Sequence, residues 1–254
     1  MLVAAWNVNS VRTRLQRLIH FLERHQPDVL CLSELKCEDH QFPYEAIDEL
    51  GYHYEVYGEK RYNGVAILSR FPIRKVTRGF DDGQSRYISG EIRGVRVCSI
   101  YVPNGREVGC EHYDYKLKWF EALAQTLKSF SLPYLVCGDF NVAPQDKDVY
   151  EPEQWSEKIL CSTPEREALQ KLLDQGCEDT FIKLNPRAKN AFSWWDYRSQ
   201  GFEKNHGLRI DFILAEKSLA AGCKEAWIDI DERSGEQPSD HAPVLARFSS
   251  KWQK

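Results

Sequence analysis

The chain has 254 residues, 42% of them hydrophobic and 28% charged, which fits one large α/β domain with a sizeable core or two small ones. Its formal net charge of −4, Lys+Arg 34 against Asp+Glu 38, excludes a global attraction to nucleic acid or anionic lipid, though a local basic rim remains compatible with a DNA substrate. Eight cysteines occur without a CxxC pair and several lie inside apolar runs, so a zinc site and a disulfide framework are not expected and a reducing compartment is. The amino-terminal "MLVAAWNVNS" lacks the basic start of a signal peptide, and no apolar run is long enough to span a membrane.

In chain order, "LVAAWNV" predicts a buried strand. "VRTRLQRLIHFLERH" follows with Leu15, Leu18, Ile19 and Leu22 at helical spacing, broken by Pro27. "DVLCLSE", "GVAILSR", "RYISGEI" and "VRVCSIYV" are further strands, the last two joined as a hairpin through Arg93 and Gly94. A helix through "YKLKWFEALAQTLKSF" ends before Pro133, and the strand "YLVCGD" begins there. A third helix covers "TPEREALQKLLDQG", with Thr163 as N-cap, Pro164 in the first turn and Gly176 as C-cap. "LRIDFILA", "KEAWIDI" and "APVLARF" are the later strands. Helices between strands, with hairpins among them, predict mixed β-sheets in an α/β domain spanning the whole of 1–254. No linker or repeat divides it, and two sheets packed face to face with helices outside would account for so many strands.

Polar residues recur where apolar runs stop. Asn7 and Asn9 follow "LVAAW", and Glu34 follows "DVLCLS". Tyr101 and Asn104 close "VRVCSIYVPN", and Asp139 and Asn141 end "YLVCGDFN". Asp240 and His241 precede "APVLARF". Singly, each has an ordinary reading as a turn residue or cap. Asp211 is different: Ile210, Phe212 and Ile213 flank it, and an acid in a buried strand needs a partner, for which a histidine is the natural choice. Together the set matches phosphodiester hydrolysis: one carboxylate for Mg²⁺, amides for phosphate oxygens, a His–Asp pair and a second carboxylate to activate water.

The motifs "WNVNSVR", "LSELK", "YVPNG", "GDFNVAP", "SWWDYRSQGFEKNHGLRID" and "SDHAPV" span nearly the whole chain. In order and spacing they resemble the exonuclease III family of apurinic/apyrimidinic endonucleases, within the endonuclease/exonuclease/phosphatase superfamily. The resemblance implies a four-layer α-β-β-α sandwich with its site at one edge of the two sheets. It implies Glu34 as Mg²⁺ ligand, with Asn7 and Asp240 nearby and Mn²⁺ able to substitute. It gives Asp139 the attacking water, and His241 with Asp211 the transition state. Asn141, Tyr101, Asn104, Asn9, Arg106 and Lys116 (Lys118 as the fallback) become phosphate or leaving-group contacts. Trp194 and Leu208 would line a pocket for an extrahelical abasic sugar.

The resemblance further implies a monomeric, cytoplasmic enzyme that works on bacterial DNA at the nucleoid. Its substrate would be double-stranded DNA with abasic or 3′-damaged sites, cut 5′ to the abasic site or trimmed from the 3′ end. Two departures stand beside the metal ligand, Ser10 where the family has Gly and Ser33 where it has Gln. Superfamily relatives that hydrolyse phosphoinositides are the alternative. They follow Trp with Cys-Asp-Arg, where this chain has "SWWDYR". A DNA-binding protein with a decayed site is the remaining rival, and every expected catalytic residue is present.

Overall fold

The computed structural model describes residues 1–249. The strands are β1 Leu2–Asn7, β2 Val29–Ser33, β3 His53–Tyr57, β4 Val65–Ser69, β5 Arg74–Arg78, β6 Tyr87–Ile92, β7 Val95–Tyr101, β8 Tyr134–Asp139, β9 Cys177–Asp179, β10 Trp194–Trp195, β11 Gly207–Leu208, β12 Asp211–Glu216, β13 Cys223–Ile228 and β14 Val244–Phe248. The helices are α1 Leu15–His25, α2 Tyr44–Glu49, α3 Glu111–Lys128, α4 Pro152–Trp155, α5 Thr163–Asp174, α6 Thr180–Leu184 and α7 Lys217–Ala220.

Two six-stranded sheets form, in the orders β13-β14-β1-β2-β4-β3 and β9-β12-β8-β7-β6-β5. Read in those directions the sheets carry the same pairing pattern: a single parallel pair, β1/β2 or β8/β7, stands at the centre with two antiparallel pairs on each side. Side chains alternate across each strand, so both faces of the central strands must be covered. Val3, Ala5, Val29, Cys31, Val65 and Ile67 face Ile88, Val97, Leu135, Cys137 and Ile213 of the second sheet. The opposite face of the first sheet, including Trp6, Leu30 and Leu32, packs on Leu18, Phe21 and Leu22 of α1 and Ile47 of α2. The outer face of the second, including Ile100, Val136 and Phe212, packs on Trp119, Phe120 and Leu123 of α3 and Leu169 and Leu172 of α5. This is the expected α-β-β-α sandwich.

Local chemistry explains the joints. Arg93 and Gly94 both take positive φ, 50° and 78°, as a two-residue hairpin turn requires. At Gly138 a Cβ would lie 2.1 Å from the Ile100 carbonyl oxygen, so only glycine lets β7 and β8 approach there, one residue before Asp139.

The structure corrects three local expectations. The N-cap of α5 is Ser162, not Thr163: the Ser162 amide donates to Glu165 Oε2 at 3.1 Å, and Ser162 Oγ accepts the Glu165 amide, in a capping box. "LRIDFILA" is not one strand. Arg209 is drawn inward by Asp148 and Asp179, and the Ile210 and Asp211 amides donate to Ser193 Oγ rather than to a neighbouring strand. The chain therefore leaves β11, paired with β10, and restarts as β12. Strands β3 and β5 were not foreseen, since neither carries a continuous apolar run.

Candidate active site

The expected residues converge where the central strands end. The first sheet delivers Asn7 from the end of β1, Glu34 from the turn after β2, and Asp240 and His241 from the approach to β14. The second delivers Tyr101 from β7, Asp139 from β8 and Asp211 from β12, and Asp211 pairs in register with Asp139. Several positions there hold the left-handed backbone: Asn9, Ser10, Glu34, Lys36 and Asn141 have φ of 43°, 88°, 52°, 53° and 50°. Such strain clusters where function fixes the chain. Ser10 is the more informative case, since its φ is one that glycine adopts freely.

Asn7 holds the centre together. Its Nδ2 donates to Glu34 Oε1 at 2.9 Å and to Asp139 Oδ2 at 3.0 Å, while its Oδ1 accepts the Asn9 amide. Asp139 Oδ1 accepts the Asn141 amide at 2.8 Å. His241 Nδ1 meets Asp211 Oδ2 at 2.9 Å, and its Nε2 lies 3.7 Å from Asp139 Oδ2. Ser193 Oγ donates to the same Asp211 oxygen at 2.6 Å. Asn141 Nδ2 donates to the Val102 carbonyl, and Asn104 Nδ2 to Asn141 Oδ1. Arg86 lies over the Tyr101 ring, and Arg106 is exposed beside Asn104.

The electrostatics follow from this crowding. Burial raises the Asp139 pKa; His241 opposes that, and Asp211 and Glu34 add to it, leaving it at about 7. Burial pulls His241 down, but Asp211 and Asp139 outweigh it and hold it near 10, so the imidazole is cationic at neutral pH. Glu34 stays below the ordinary carboxylate value: burial opposes this, and the Lys36 ammonium and the Asn7 amide overcome it. Burial, then Glu34 and Asp139, keep the Tyr101 phenol protonated well above its usual range.

Glu34, Asp139 and His241 each place one ligand atom within 4.8 Å of the others. With His241 cationic, the oxygen donors are left to serve a hard divalent ion, and they fit one.

Several expected residues take other partners. Asn7 turns its amide nitrogen toward the two carboxylates and bridges them. Asp240 stands outside the three-residue cluster, its two oxygens taken by Asn9 Nδ2 at 2.9 Å and Trp194 Nε1 at 3.1 Å. Lys116 is fully buried, and its ammonium donates to the Asn104 and Asn141 carbonyls and to Glu165, leaving no donor for phosphate. The fallback, Lys118, is exposed on the groove between α3 and α5. Leu208 is wholly buried and pairs in the backbone with the part-exposed Trp194, so it offers no surface of its own to a sugar. The sequence reading missed Lys36, whose Nζ lies 2.8 Å from Glu34 Oε2, and Ser193; the "ELK" and "FSW" in the motifs were their only signals.

Comparison with known proteins agrees with this fold. The model of the Endonuclease/Exonuclease/phosphatase family matches residues 4–241. Exodeoxyribonuclease III of Haemophilus influenzae is 40% identical, the match covering 96% of this chain and 98% of that protein. The 3′ phosphatase NExo from Neisseria, solved with a product DNA hairpin, is 40% identical with a TM-score of 0.95, covering 98% of this chain and 99% of that one. An AP endonuclease from Archaeoglobus fulgidus is 37% identical with a TM-score of 0.94, at 98% and 99% coverage. With the fold, the carboxylate–histidine centre and these relatives in agreement, the chain belongs to the endonuclease/exonuclease/phosphatase family, as a metal-dependent nuclease of its DNA-repair branch.

Proposed function

We propose that this nuclease is a Mg²⁺-dependent phosphodiesterase of double-stranded DNA that cuts 5′ to abasic sites and removes 3′ nucleotides or blocked 3′ ends, leaving a 3′-hydroxyl. The observation that carries the reading is His241 set between Asp211 and Asp139, with Glu34 beside them. A divalent ion at Glu34, Mg²⁺ or Mn²⁺, would supply Lewis-acid stabilisation of the phosphate charge. Asp139, with its pKa near 7, takes the proton of the attacking water as the water oxygen bonds to phosphorus. The P–O3′ bond breaks, and the protonated Tyr101 is placed to give the leaving oxygen a proton. His241, held charged by Asp211, offsets the charge of the pentavalent transition state. Asn141 and Asn104 orient the phosphate, Asn9 and Arg106 extend the track, and Trp194 offers its face to an extrahelical sugar.

The whole chain acts as one catalytic domain and works as a monomer. Eight free cysteines fit a cytoplasmic address. Among the described residues no helix is long and apolar enough to cross a membrane. The test is a duplex with one abasic analogue. A Mg²⁺-dependent nick on its 5′ side, lost in EDTA, is the expected result, and an uncut duplex beside rapid hydrolysis of a phosphoinositide would overturn the reading.

A further inference from the structure

Glu34 has two oxygens, and each has a different partner. Oε1 takes the neutral Asn7 amide, and Oε2 takes the Lys36 ammonium at 2.8 Å. Glu34 and Lys36 both adopt left-handed φ, 52° and 53°, on either side of Leu35. The turn is fixed from both flanks. The Ser10 amide donates to the Glu34 carbonyl at 2.8 Å, and the Leu35 and Lys36 amides donate to the Gly64 and Asn63 carbonyls. Leu35 between them is fully buried. The backbone is tied on both sides, while the Lys36 side chain is one-third exposed, and among the described residues its ammonium also donates to Asn9 Oδ1. Lys36 is thus a part-exposed cation on a hydrogen-bonded turn, touching the carboxylate that would hold the divalent ion.

We propose that Lys36 couples cation binding to DNA binding. In the free protein its ammonium shares Glu34 with the divalent ion, and like charges at such a distance weaken the ion's hold. When DNA enters, the ammonium turns outward to a backbone phosphate, and Glu34 is left to the ion. Each ligand therefore strengthens the other, as reciprocal linkage demands. Lys36 is a positioning residue for the ion in this scheme, acting through Glu34. The inference rests on the reading of Glu34 as the ion's ligand.

The test titrates the protein with Mn²⁺, reading the free ion by electron paramagnetic resonance, with and without a nicked duplex protected by phosphorothioate linkages. Lys36→Gln is expected to bind Mn²⁺ about tenfold more tightly than the unaltered protein when DNA is absent. Lys36→Arg, which keeps the charge, should stay close to the original affinity. Adding DNA should tighten Mn²⁺ binding in the unaltered protein by about tenfold or more and change Lys36→Gln far less. A merely structural lysine would give the opposite sign, weaker Mn²⁺ binding in Lys36→Gln. That result, or an unchanged affinity, overturns the inference. Should Lys36→Gln not fold, the unaltered protein still decides: equal Mn²⁺ affinity with and without DNA overturns it. Glu34→Gln separates the two readings. If it leaves Mn²⁺ affinity untouched, Glu34 is not the ligand. If it weakens binding while Lys36→Gln changes nothing, only the role of Lys36 falls.

Discussion

Asp211 and His241, 30 residues apart in the chain, meet at 2.9 Å, and that contact turns the imidazole so that its other nitrogen faces Asp139. The pair keeps His241 charged up to about pH 10. Because its folded pKa lies above the ordinary 6.5, the stability it contributes is full below 6.5 and is lost as pH rises through about 10. Asp211→Asn removes the main support of that charge, so the alkaline limb of kcat/KM should move down from near 10 toward the neutral range. At mildly alkaline pH the loss in kcat should be on the order of 10²-fold or more. A variant with an unmoved alkaline limb would show that His241 does not act as a cation.

The Asp139 pKa is also raised, so stability again falls as pH rises, but here it is the charged form that the fold disfavours. Its folded pKa, about 7, lies above the ordinary 3.8, so its burial costs no stability below 3.8 and the full amount above about 7. Asp139→Asn keeps the shape and removes the charge. With EDTA present, its Tm should match the parent at acid pH and exceed it increasingly as pH rises through neutrality. Its kcat should fall on the order of 10² to 10⁴-fold. A less stable variant at alkaline pH would mean that Asp139 is not held at the expense of the fold.

The sandwich and most of the site were legible for one physical reason. Buried central strands read as apolar runs, and a polar residue that ends such a run, as Asn7, Glu34 and Asp139 do, or interrupts it, as Asp211 does, stands out. Edge strands give no such signal. Strand β5, "RKVTR", is exposed at four of its five positions, so nothing distinguishes it from a charged loop. Lys116 was misread because lysines are seldom fully buried, and the partner that makes burial tolerable, Glu165, lies 49 residues away. Lys36 carries no signal of its own, because a lysine beside an acid in "LSELK" has the ordinary reading of a solvated surface charge.

Lys116 and Glu165 set a test of stability. Both side chains are wholly inaccessible, and Glu165 also accepts from the Leu160 amide and from Ser162. Breaking a buried pair strands a charge, so Glu165→Gln should cost about 3–5 kcal/mol in urea unfolding. Lys116→Met with Glu165→Met removes both charges and should be less damaging to Lys116's surroundings than the single change. Only the double change removes the ammonium that anchors the Asn104 and Asn141 carbonyls, so its KM for DNA should rise. Equal stability of Glu165→Gln and the parent would refute the buried pair.

Two buried serines beside the site should respond oppositely to the same change. Ser193 Oγ accepts the Ile210 and Asp211 amides, each at 3.1 Å, and donates to Asp211 at 2.6 Å. Ser193→Ala leaves those groups unpaired and should cost about 1–3 kcal/mol, with a lower kcat as Asp211 loosens. Ser33 Oγ, next to Glu34, is equally buried and has no hydrogen-bond partner among the described residues. Its hydroxyl carries a desolvation cost with nothing in return, so Ser33→Ala should be neutral or stabilise by about 1 kcal/mol. Its kcat should not change, since the Glu34 carboxylate is held by Asn7 and Lys36 instead. If Ser33→Ala proves as harmful as Ser193→Ala in urea unfolding, the Ser33 hydroxyl supports Glu34 after all, and this account of the turn is wrong.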